Sequence, residues 1–194
     1  MCTNQRFVRI ALETQGFQRI NRRLKIVNTL YTNRLFLRPF RTGDAEAMYK
    51  NWTCDERVAR YCRWHPHKSI SETEEFLKFC IDAEYSWAIT LKDKDEPIGA
   101  IDMVGINSVG VHEIGYVLMY EHWGQGLMTE AVKAVIDELF RNGFDKIGAC
   151  HNIDNPASGR VMEKSGMTYV GNRMAQKKFG SDEKCEVKCY EICH

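Results

Sequence analysis

The chain has 194 residues, 44% of them hydrophobic and 27% charged, and carries a net charge of +1. This composition excludes a disordered or low-complexity chain, and no apolar run approaches the roughly 18 residues that a membrane span needs. A charge so close to zero gives no overall reason to expect a nucleic-acid partner. The composition therefore predicts a soluble, cytoplasmic protein without a membrane partner.

The first 29 residues differ from the remainder in charge, because they hold six Arg and Lys residues against Glu13 alone. Their apolar residues follow no clean period, so three interpretations stay open: a loose basic helix, a targeting-like segment, or an extension that is not part of the fold. We favour the extension, and a basic tether to nucleic acid or the ribosome is a further possibility. No composition break or internal repeat follows, which predicts one domain over residues 30–194.

The predicted domain opens with a strand and a helix. The strand lies in NRLFLRPF, where the apolar residues are Leu35, Leu37 and, after a proline, Phe40. The helix lies in RTGDAEAMYKNW, where Thr42 or Asp44 can cap the first free N–H groups. A short helix in DERVARYC and a loop in RWHPHKSI follow.

A further helix and three strands come next. Ser71 and Glu74 have the S-x-x-E spacing of a capping box, so we expect a helix from there to about Ala83. The segments YSWAITLK and PIGAIDMVGI, on either side of the charged turn DKDE, predict a hairpin, and VHEIGYVLMY predicts a third strand. The apolar stripe between Leu127 and Phe140 then predicts a helix of about four turns that packs on this sheet.

The last part of the chain predicts a strand in FDKIGACHN, a helix in PASGRVMEKSG that ends at Gly166, and two closing strands in MTYVGNRMAQKKF and CEVKCYEIC. The fold class is therefore α+β. We expect a mixed, largely antiparallel sheet of about seven strands, flanked by about four helices.

Eight cysteines are scattered along a chain that lacks a secretory signal, so we expect reduced thiols. The densest group is Cys185, Cys189 and Cys193, followed by His194. On a strand these thiols share one face but lie roughly 13 Å apart at successive positions, which is too far to share one zinc ion. The spacing favours small buried hydrophobic residues over a metal site, and no metal is expected.

The sequence HWGQGLMTEA places Gly124 and Gly126 between an apolar strand and a long helix. Ordering a glycine costs roughly 0.5–1 kcal/mol relative to alanine, so a pair of them at a helix entrance needs a reason. The first N–H groups of a helix are unpaired and its dipole is positive there, which makes such a loop a general cradle for a phosphate. It is not a P-loop, because no Gly-Lys-Ser/Thr follows, and it lacks the third glycine of a dinucleotide fingerprint.

Four segments resemble, in their order, the GNAT family of acyl-CoA-dependent N-acetyltransferases. They are NRLFLRPFRTGDAEAM, the hairpin with WAI and PIGAI, EIGYVLMYEHWGQGLMTEA, and NPASGRVMEKSGM. The resemblance covers about residues 30–194 and is strongest to the ribosomal-protein N-terminal acetyltransferase-like (RimJ/RimL-type) branch. It implies the acyl-CoA N-acyltransferase fold, with a sheet splayed in the middle, and direct transfer of acetyl from acetyl-CoA to a primary amine in a ternary complex.

The resemblance also implies where acetyl-CoA, the co-substrate, is bound. In the family the glycine loop holds the pyrophosphate through backbone amides, and the preceding strand end binds the pantetheine arm like an added strand. The family's usual Arg or Gln before the first glycine is Glu121 here, which leaves phosphate binding to the backbone and the helix dipole. The predicted cofactor-binding residues are Val117, Leu118, Met119, His122, Trp123, Gly124, Gln125, Gly126, Leu127, Met128, Thr129, Asn155 and Ser158.

Acetyl transfer needs a base, because an amine is protonated near neutral pH. Glu113 is the best candidate, since its charge lies in an otherwise apolar strand, and the alternative is a solvent-facing charge at a sheet edge. Backbone N–H groups near Leu118 would stabilise the oxyanion. Trp123 is expected to pack beneath the glycine loop rather than to stack on adenine.

Asn155 and Ser158 lie at N-x-x-S spacing at the start of a helix, where helix capping is one interpretation. The resemblance adds contacts of Asn155 with the cofactor arm and of Ser158 with its sulfur. Many family members have a tyrosine four residues before the glycine that closes this helix, and here that residue is Met162. Ser158 therefore becomes the candidate acid or hydrogen-bond donor for the leaving thiolate.

The acceptor is expected to be a protein N-terminus or a small-molecule amine. Trp64 and His65, in the loop RWHPHK, are candidate substrate-binding residues, and packing of Trp64 in the core is the alternative. A monomer or a homodimer is expected. The rival function is a catalytically impaired acyl-CoA sensor, which Glu121 and Met162 make conceivable.

Overall fold

The computed structural model describes residues 27–194, so the interpretations of the basic extension lie almost entirely outside the described residues. The strands are β1 (Leu30–Tyr31), β2 (Leu35–Arg38), β3 (Ser86–Leu91), β4 (Lys94–Ile106), β5 (His112–Leu118), β6 (Lys146–Asn152), β7 (Thr168–Gln176) and β8 (Lys184–Cys193). The helices are α1 (Ala45–Met48), α2 (Glu56–Ala59), α3 (Ile70–Asp82), α4 (Leu127–Arg141) and α5 (Pro156–Lys164). Short 3₁₀ turns at Thr42–Asp44 and Tyr120–His122 and a π-helical turn at Tyr49–Thr53 complete the described elements.

The described strands form one sheet in the order β1-β2-β3-β4-β5-β6-β8-β7. Its neighbouring strands are antiparallel except for β5 and β6, which run parallel and pair only through His112 with Ile147 and Glu113 with Gly148. Beyond Glu113 the two strands separate, so the sheet is splayed at its centre. The α+β class and the mixed, largely antiparallel sheet are confirmed. The described part has 8 strands rather than about seven, because β1 has only 2 residues and shows no periodic pattern.

Helices cover both faces of this sheet. On one face α4 and α5 bury a large apolar cluster that includes Trp87 and Leu139. On the other face α1, α2 and α3 bury a second cluster that includes Trp52, Ala88 and Ala100. The site described below opens where this second cluster reaches the splayed strands.

Side chains of β5 alternate between these two faces, as the pleat of a strand requires. Ile114 and Leu118 lie in the cluster under α4 and α5, and Tyr116 packs against it. Val117 packs against the cluster under α1 and α3. Glu113 shares the face of Val117, because the only irregularity in this pairing falls on β4, between Met103 and Gly105, and leaves β5 regular.

The start of α3 differs from its predicted position. Ser69, not Ser71, is the N-cap, and its side-chain oxygen accepts a hydrogen bond from the Glu72 backbone N–H at 3.4 Å. The Glu72 carboxylate in turn accepts from the Lys68 N–H at 2.8 Å. Two overlapping S-x-x-E patterns occur here, and the prediction selected the wrong one because the extended backbone at Ser69 is not visible in the sequence.

A buried ion pair joins the first strand pair to the first helix. The guanidinium of Arg38 donates to both carboxylate oxygens of Asp44 at 2.8 Å, and the two side chains are only 5% and 7% exposed. The Asp44 carboxylate also accepts a hydrogen bond from the Arg41 N–H at 2.8 Å. Of the two predicted capping residues it is therefore Asp44, rather than Thr42, that binds a backbone N–H where the helical turn begins. Its charge is therefore compensated inside the protein.

Residues 27–29 contact the domain, although the sequence assigned them to the extension. Val27 belongs to the core cluster under α4. The Asn28 side-chain amide donates to Glu138 Oε1 at 2.7 Å, and the Asn28 carbonyl accepts from the Trp87 indole N–H at 3.0 Å. The domain boundary stays a prediction.

The cysteines of β8 are less buried than expected. Cys185 and Cys189 are partly buried, and Cys193 is exposed because it ends the strand. Within residues 27–194 no three His, Cys, Asp or Glu side chains form a group that could hold a metal ion. None of the helices in this range combines the length and the apolar character that crossing a membrane requires.

Candidate active site

The glycine loop connects the end of β5 to α4, and its two glycines have left-handed backbone angles. The φ values are +74° at Gly124 and +76° at Gly126. A residue with a side chain would lose roughly 1–2 kcal/mol in this conformation. The space beside Gly124 is open, and the nearest atom to a side chain at Gly126 would be Arg34 Nη2 at 3.7 Å. The glycines are therefore required by the backbone conformation rather than by a crowding protein atom.

The first turn of α4 has no side-chain cap. Gly126 is its N-cap residue, and the helix that follows is 15 residues long. Arg34 connects the loop to α4. It donates to the Gln125 carbonyl at 3.0 Å and forms an ion pair with Glu130 at 2.7 Å. The free N–H groups and the helix dipole are thus available to an anion that approaches the exposed loop.

An arginine contacts the turn that precedes the loop, although the family's basic residue is replaced by Glu121. Arg57, from α2, lies over the Tyr120 ring at 3.9 Å and pairs with Glu121 at 3.2 Å. Asp55 holds the same guanidinium at 2.5 Å. Sequence reasoning missed this arginine because it comes from a helix about 65 positions earlier in the chain.

Within the part of the chain that the structure describes, no strand pairs with the β6-facing edge of β5 beyond Glu113. The Met119 N–H donates to the Ile98 carbonyl at 2.7 Å, so the backbone groups of Leu118, the preceding residue, point the other way, into the gap between β5 and β6. The Leu118 carbonyl accepts from the Trp123 indole N–H at 2.7 Å. The Leu118 N–H is thus presented to the gap, whereas its carbonyl is already engaged.

Trp123 lies on the loop surface rather than beneath it. It is 41% exposed, and its ring packs on Tyr120 with centroids 5.0 Å apart. The expectation of a buried tryptophan is wrong because the indole reaches back to the end of β5 instead of into the core. Its position is fixed by one hydrogen bond and one ring contact.

A cavity of about 1500 Å³ runs from the glycine loop through the splayed strands to the α2–α3 loop. Most of the predicted site residues line it. Those on its wall are Trp64, His65, Glu113, Val117, Leu118, His122, Trp123, Gly124, Gly126, Leu127, Met128, Thr129, Asn155 and Ser158. Met119 packs against the core, and the Gln125 amide donates to the Glu121 carbonyl at 2.9 Å, so these two predicted residues are not on the wall.

Asn155 caps α5, and helix capping was one of the interpretations of the N-x-x-S spacing. Its side-chain oxygen accepts from the Ser158 N–H at 3.3 Å. The Ser158 hydroxyl lies 2.9 Å from the Tyr116 hydroxyl, which itself donates to the Ser158 carbonyl at 2.9 Å. The single phenolic hydrogen is therefore used, and Ser158 donates to Tyr116.

Tyr116 is a site residue that the sequence did not single out. It reaches from β5 across the gap to α5, and burial raises the pKa of its phenol above the ordinary value. The phenol therefore keeps its proton at neutral pH. Side chains alternate along β5, so Tyr116 lies on the opposite face of the strand from Glu113. This alternation was the only feature of the sequence that could have pointed to Tyr116. Met162, where many relatives have a tyrosine, is buried in the core.

Glu113 is not the solvent-facing edge charge that was the alternative interpretation. Its side chain is 13% exposed, and Oε2 accepts from Arg173 Nη2 at 2.7 Å. Oε1 lies 3.5 Å from the Cys150 thiol and from the Asn107 amide. Arg173 comes from β7, which is far away in the sequence, so this ion pair could not be predicted.

A second carboxylate, Asp102, lines the same cavity. Its Oδ1 accepts from the Ser86 hydroxyl at 2.5 Å. Burial raises the pKa of Asp102 to about 6, while the Ser86 hydrogen bond acts in the opposite direction. The sequence pattern assigned Asp102 to a strand but did not identify it as a site residue, because one acidic residue in an apolar strand usually faces solvent.

The far end of the cavity is covered by the β7–β8 hairpin. Lys178 Nζ donates to the carbonyls of Ala59, Cys62 and Trp64 at 2.7, 2.7 and 3.0 Å. Trp64 is partly buried and packs on the His67 ring at 5.7 Å, while His65 is exposed. Trp64 therefore packs on the core and also lines the cavity, and its role in binding a substrate stays a prediction.

A splayed mixed sheet, an uncapped helix behind a left-handed glycine loop, and a cavity between them define an acyl-CoA N-acyltransferase fold. The family described as acetyltransferase (GNAT) domain matches residues 34–168. The uncharacterized N-acetyltransferase p20 of Bacillus licheniformis is 33% identical over 70% of this chain and 80% of its own length. The chain belongs to the GNAT family, and it is an acyl-CoA-dependent N-acetyltransferase.

Solved structures agree with this assignment. A GNAT-family acetyltransferase from Bacillus anthracis has a TM-score of 0.74 and 25% identity, over 86% of this chain and 98% of the other. RimL, the ribosomal L7/L12 alpha-N-protein acetyltransferase, in complex with coenzyme A has a TM-score of 0.72 and 20% identity, over 86% and 98%. Because the identity to RimL is only 20%, this similarity shows that the two proteins share a fold and nothing more.

Proposed function

We propose that the protein transfers acetyl from acetyl-CoA to a primary amine, either a protein N-terminus or a small-molecule amine, by direct attack in a ternary complex. The observation that carries this proposal is the open path from the uncapped start of α4, past the Leu118 N–H, to the covered end of the cavity. RimL acts on an α-amino group, as its name says, and the segments that resemble the RimJ/RimL-type branch favour the same class of acceptor here.

The residues present fit acetyl-CoA. Backbone N–H groups of the loop and of the first α4 turn would hold the pyrophosphate. The unpaired edge of β5 would bind the pantetheine amides, since an extended chain can pair with a free strand edge. The Leu118 N–H, which faces the gap, would donate to the oxygen that becomes negative during transfer.

The acceptor must lose a proton before it attacks, because the pKa of an amine is about 8 for an α-amine and about 10 for lysine. Glu113 remains the sequence-based candidate for this step, and its carboxylate does line the cavity. The thiolate that leaves must gain a proton. Ser158 with Tyr116 is the proposed donor pair, because the pair faces the gap and its phenol stays protonated.

Two measurements test the proposal. Calorimetry should detect uptake of acetyl-CoA, and a thiol assay with a panel of small amines and N-terminal peptides of ribosomal proteins should detect amine-dependent release of coenzyme A. Uptake without release for every amine would favour the acyl-CoA sensor instead. The cytoplasmic location and the monomer or homodimer state stay predictions, which fractionation and sedimentation would check.

A further inference from the structure

The position of Asp102 follows from the register of three adjacent strands. Asp102 on β4 pairs with Ser86 on β3 and with Gly115 on β5. Paired residues of antiparallel strands direct their side chains to the same face, so Asp102 lies on the face of Glu113 and Val117. Gly99, three residues away, pairs with Leu118, so Asp102 lies roughly 10 Å along the strand from the end of β5 that faces the gap.

Asp102 and Glu113 thus lie on the same face of the sheet, but their surroundings differ. Glu113 is bound to the guanidinium of Arg173 and is also contacted by Cys150. Asp102 has the Ser86 hydroxyl as its hydrogen-bond donor, and among residues 27–194 no Lys, Arg or His forms an ion pair with it. A neighbouring cation favours the ionised form of a carboxylate and so opposes its taking up a proton, and Asp102 has no such partner within the described residues.

We propose that Asp102 removes the proton from the attacking amine, and that Glu113 acts as a positioning residue that holds Arg173 at the cavity wall. This inference rests on the proposed function. The protonated amine loses two protons as it becomes an amide. One goes to the Asp102 carboxylate, which returns it to water. After nitrogen attacks the thioester carbon and the carbon–sulfur bond breaks, the thiolate receives the other through Ser158.

The ionisation of Asp102 suits this role. Burial raises the pKa of its carboxyl to about 6, so the group is ionised at neutral pH but close to its protonated form. A base is most effective when its pKa lies near the working pH. The titratable groups that line this cavity with Asp102 include Glu113 on β5, Cys80 on α3, Cys150 on β6 and Arg173 on β7, while β3 contributes the neutral Ser86 hydroxyl.

The test compares four variants by their kcat/KM for coenzyme A release as a function of pH. Asp102→Asn keeps the shape of the side chain, and its amide oxygen can still accept from Ser86. We expect its kcat/KM to fall by about 10²- to 10⁴-fold, with loss of the acidic limb. In the wild-type enzyme that limb should have its midpoint at a pH of about 6. Asp137→Asn, at an exposed position on α4, is the matched control and should behave as wild type.

Two further variants separate the roles. Ser86→Ala removes the hydrogen bond that stabilises the carboxylate, so the midpoint of the acidic limb should move to higher pH. Glu113→Gln should raise the KM for the amine and keep the acidic limb. Calorimetry with acetyl-CoA and thermal melting establish that each variant is folded, and the Ser86 shift provides a readout if Asp102→Asn is unstable.

The outcomes distinguish this inference from the proposed function. If the wild-type enzyme releases no coenzyme A with any amine, the proposed function fails first. If the wild-type enzyme is active but Asp102→Asn retains both its rate and its acidic limb, Asp102 is not the base and the function stands. If Glu113→Gln is the only variant that loses the acidic limb, Glu113 is the base.

Discussion

The buried carboxyl of Asp102 should make the stability of the protein depend on pH. An unfolded aspartate has a pKa of 3.8, and burial raises the folded value to about 6. A raised acid pKa means that the folded state keeps a proton which the unfolded state has released. Ionised Asp102 therefore lowers the free energy of unfolding. This penalty is absent below pH 3.8, grows as the pH rises, and is complete above a pH of about 6. Asp102→Asn removes this penalty, so the variant should gain stability as the pH rises.

The size of the effect follows from the two pKa values. With an unfolded value of 3.8 and a folded value of about 6, the wild-type penalty is about 2 kcal/mol at pH 5 and about 3 kcal/mol at pH 8. The new amide N–H groups lack partners, which costs about 1 kcal/mol at either pH. The net gain is then about 2 kcal/mol at pH 8, or roughly 4–8 °C in melting temperature. The amide cost cancels in the difference between the two pH values, which is about 1 kcal/mol.

Urea denaturation of the wild-type protein, Asp102→Asn and Asp137→Asn at pH 5 and pH 8 measures this difference. The exposed control should show the same small change at both pH values. Equal gains for Asp102→Asn at the two pH values, or a larger gain at pH 5, would refute the assignment of a raised pKa. Because the assay needs neither acetyl-CoA nor an amine, it tests the electrostatic premise apart from the enzymology.

Three other predictions concern the loop, the ion pair and the proton donor. Replacing Gly124 and Gly126 together by Ala should cost about 1–2 kcal/mol per site and weaken acetyl-CoA binding in calorimetry, whereas Gly43→Ala, beside open space and without a positive φ, should bind normally. Arg38→Met leaves its carboxylate partner buried without a cation, so its urea denaturation should show a loss of about 3–5 kcal/mol, and a loss under 1 kcal/mol would contradict this account. Tyr116→Phe removes the hydroxyl that pairs with Ser158, and its kcat should fall by about 10²-fold with the KM for acetyl-CoA nearly unchanged. An unchanged kcat would exclude the donor pair.

Local patterns were sufficient to predict most of the elements and the α+β class, whereas the splayed sheet was implied by the family resemblance. Apolar periodicity identified the strands and helices, and the glycine spacing located the turn between β5 and α4. Errors arose where two local patterns competed, as at Ser69 and Ser71, or where an element was too short to have a period, as at β1. These signals extend over one or two turns, and the sequence contains them directly.

The chemistry of the site was less predictable, because it depends on pairs that are distant in the chain. Glu113 could be selected as a charge in an apolar strand, but its partner Arg173 is 60 positions away. Tyr116 meets Ser158 across 42 positions, in a gap that exists only because two strands separate. Asp102 is distinguished by the register of three strands, which no single segment encodes. Residue types therefore indicated the candidates, and tertiary contacts determine their roles.

The bond between the Trp123 indole and the Leu118 carbonyl gives the enzyme an intrinsic optical reporter. In the proposed binding mode, the N–H of a pantetheine amide at this strand end would compete with the indole for the Leu118 carbonyl and change the surroundings of the ring. Because this tryptophan is 41% exposed, its emission should change colour and intensity when the thioester arrives. Occupancy could thus be followed in real time with the unlabelled protein, even before any acceptor has been identified.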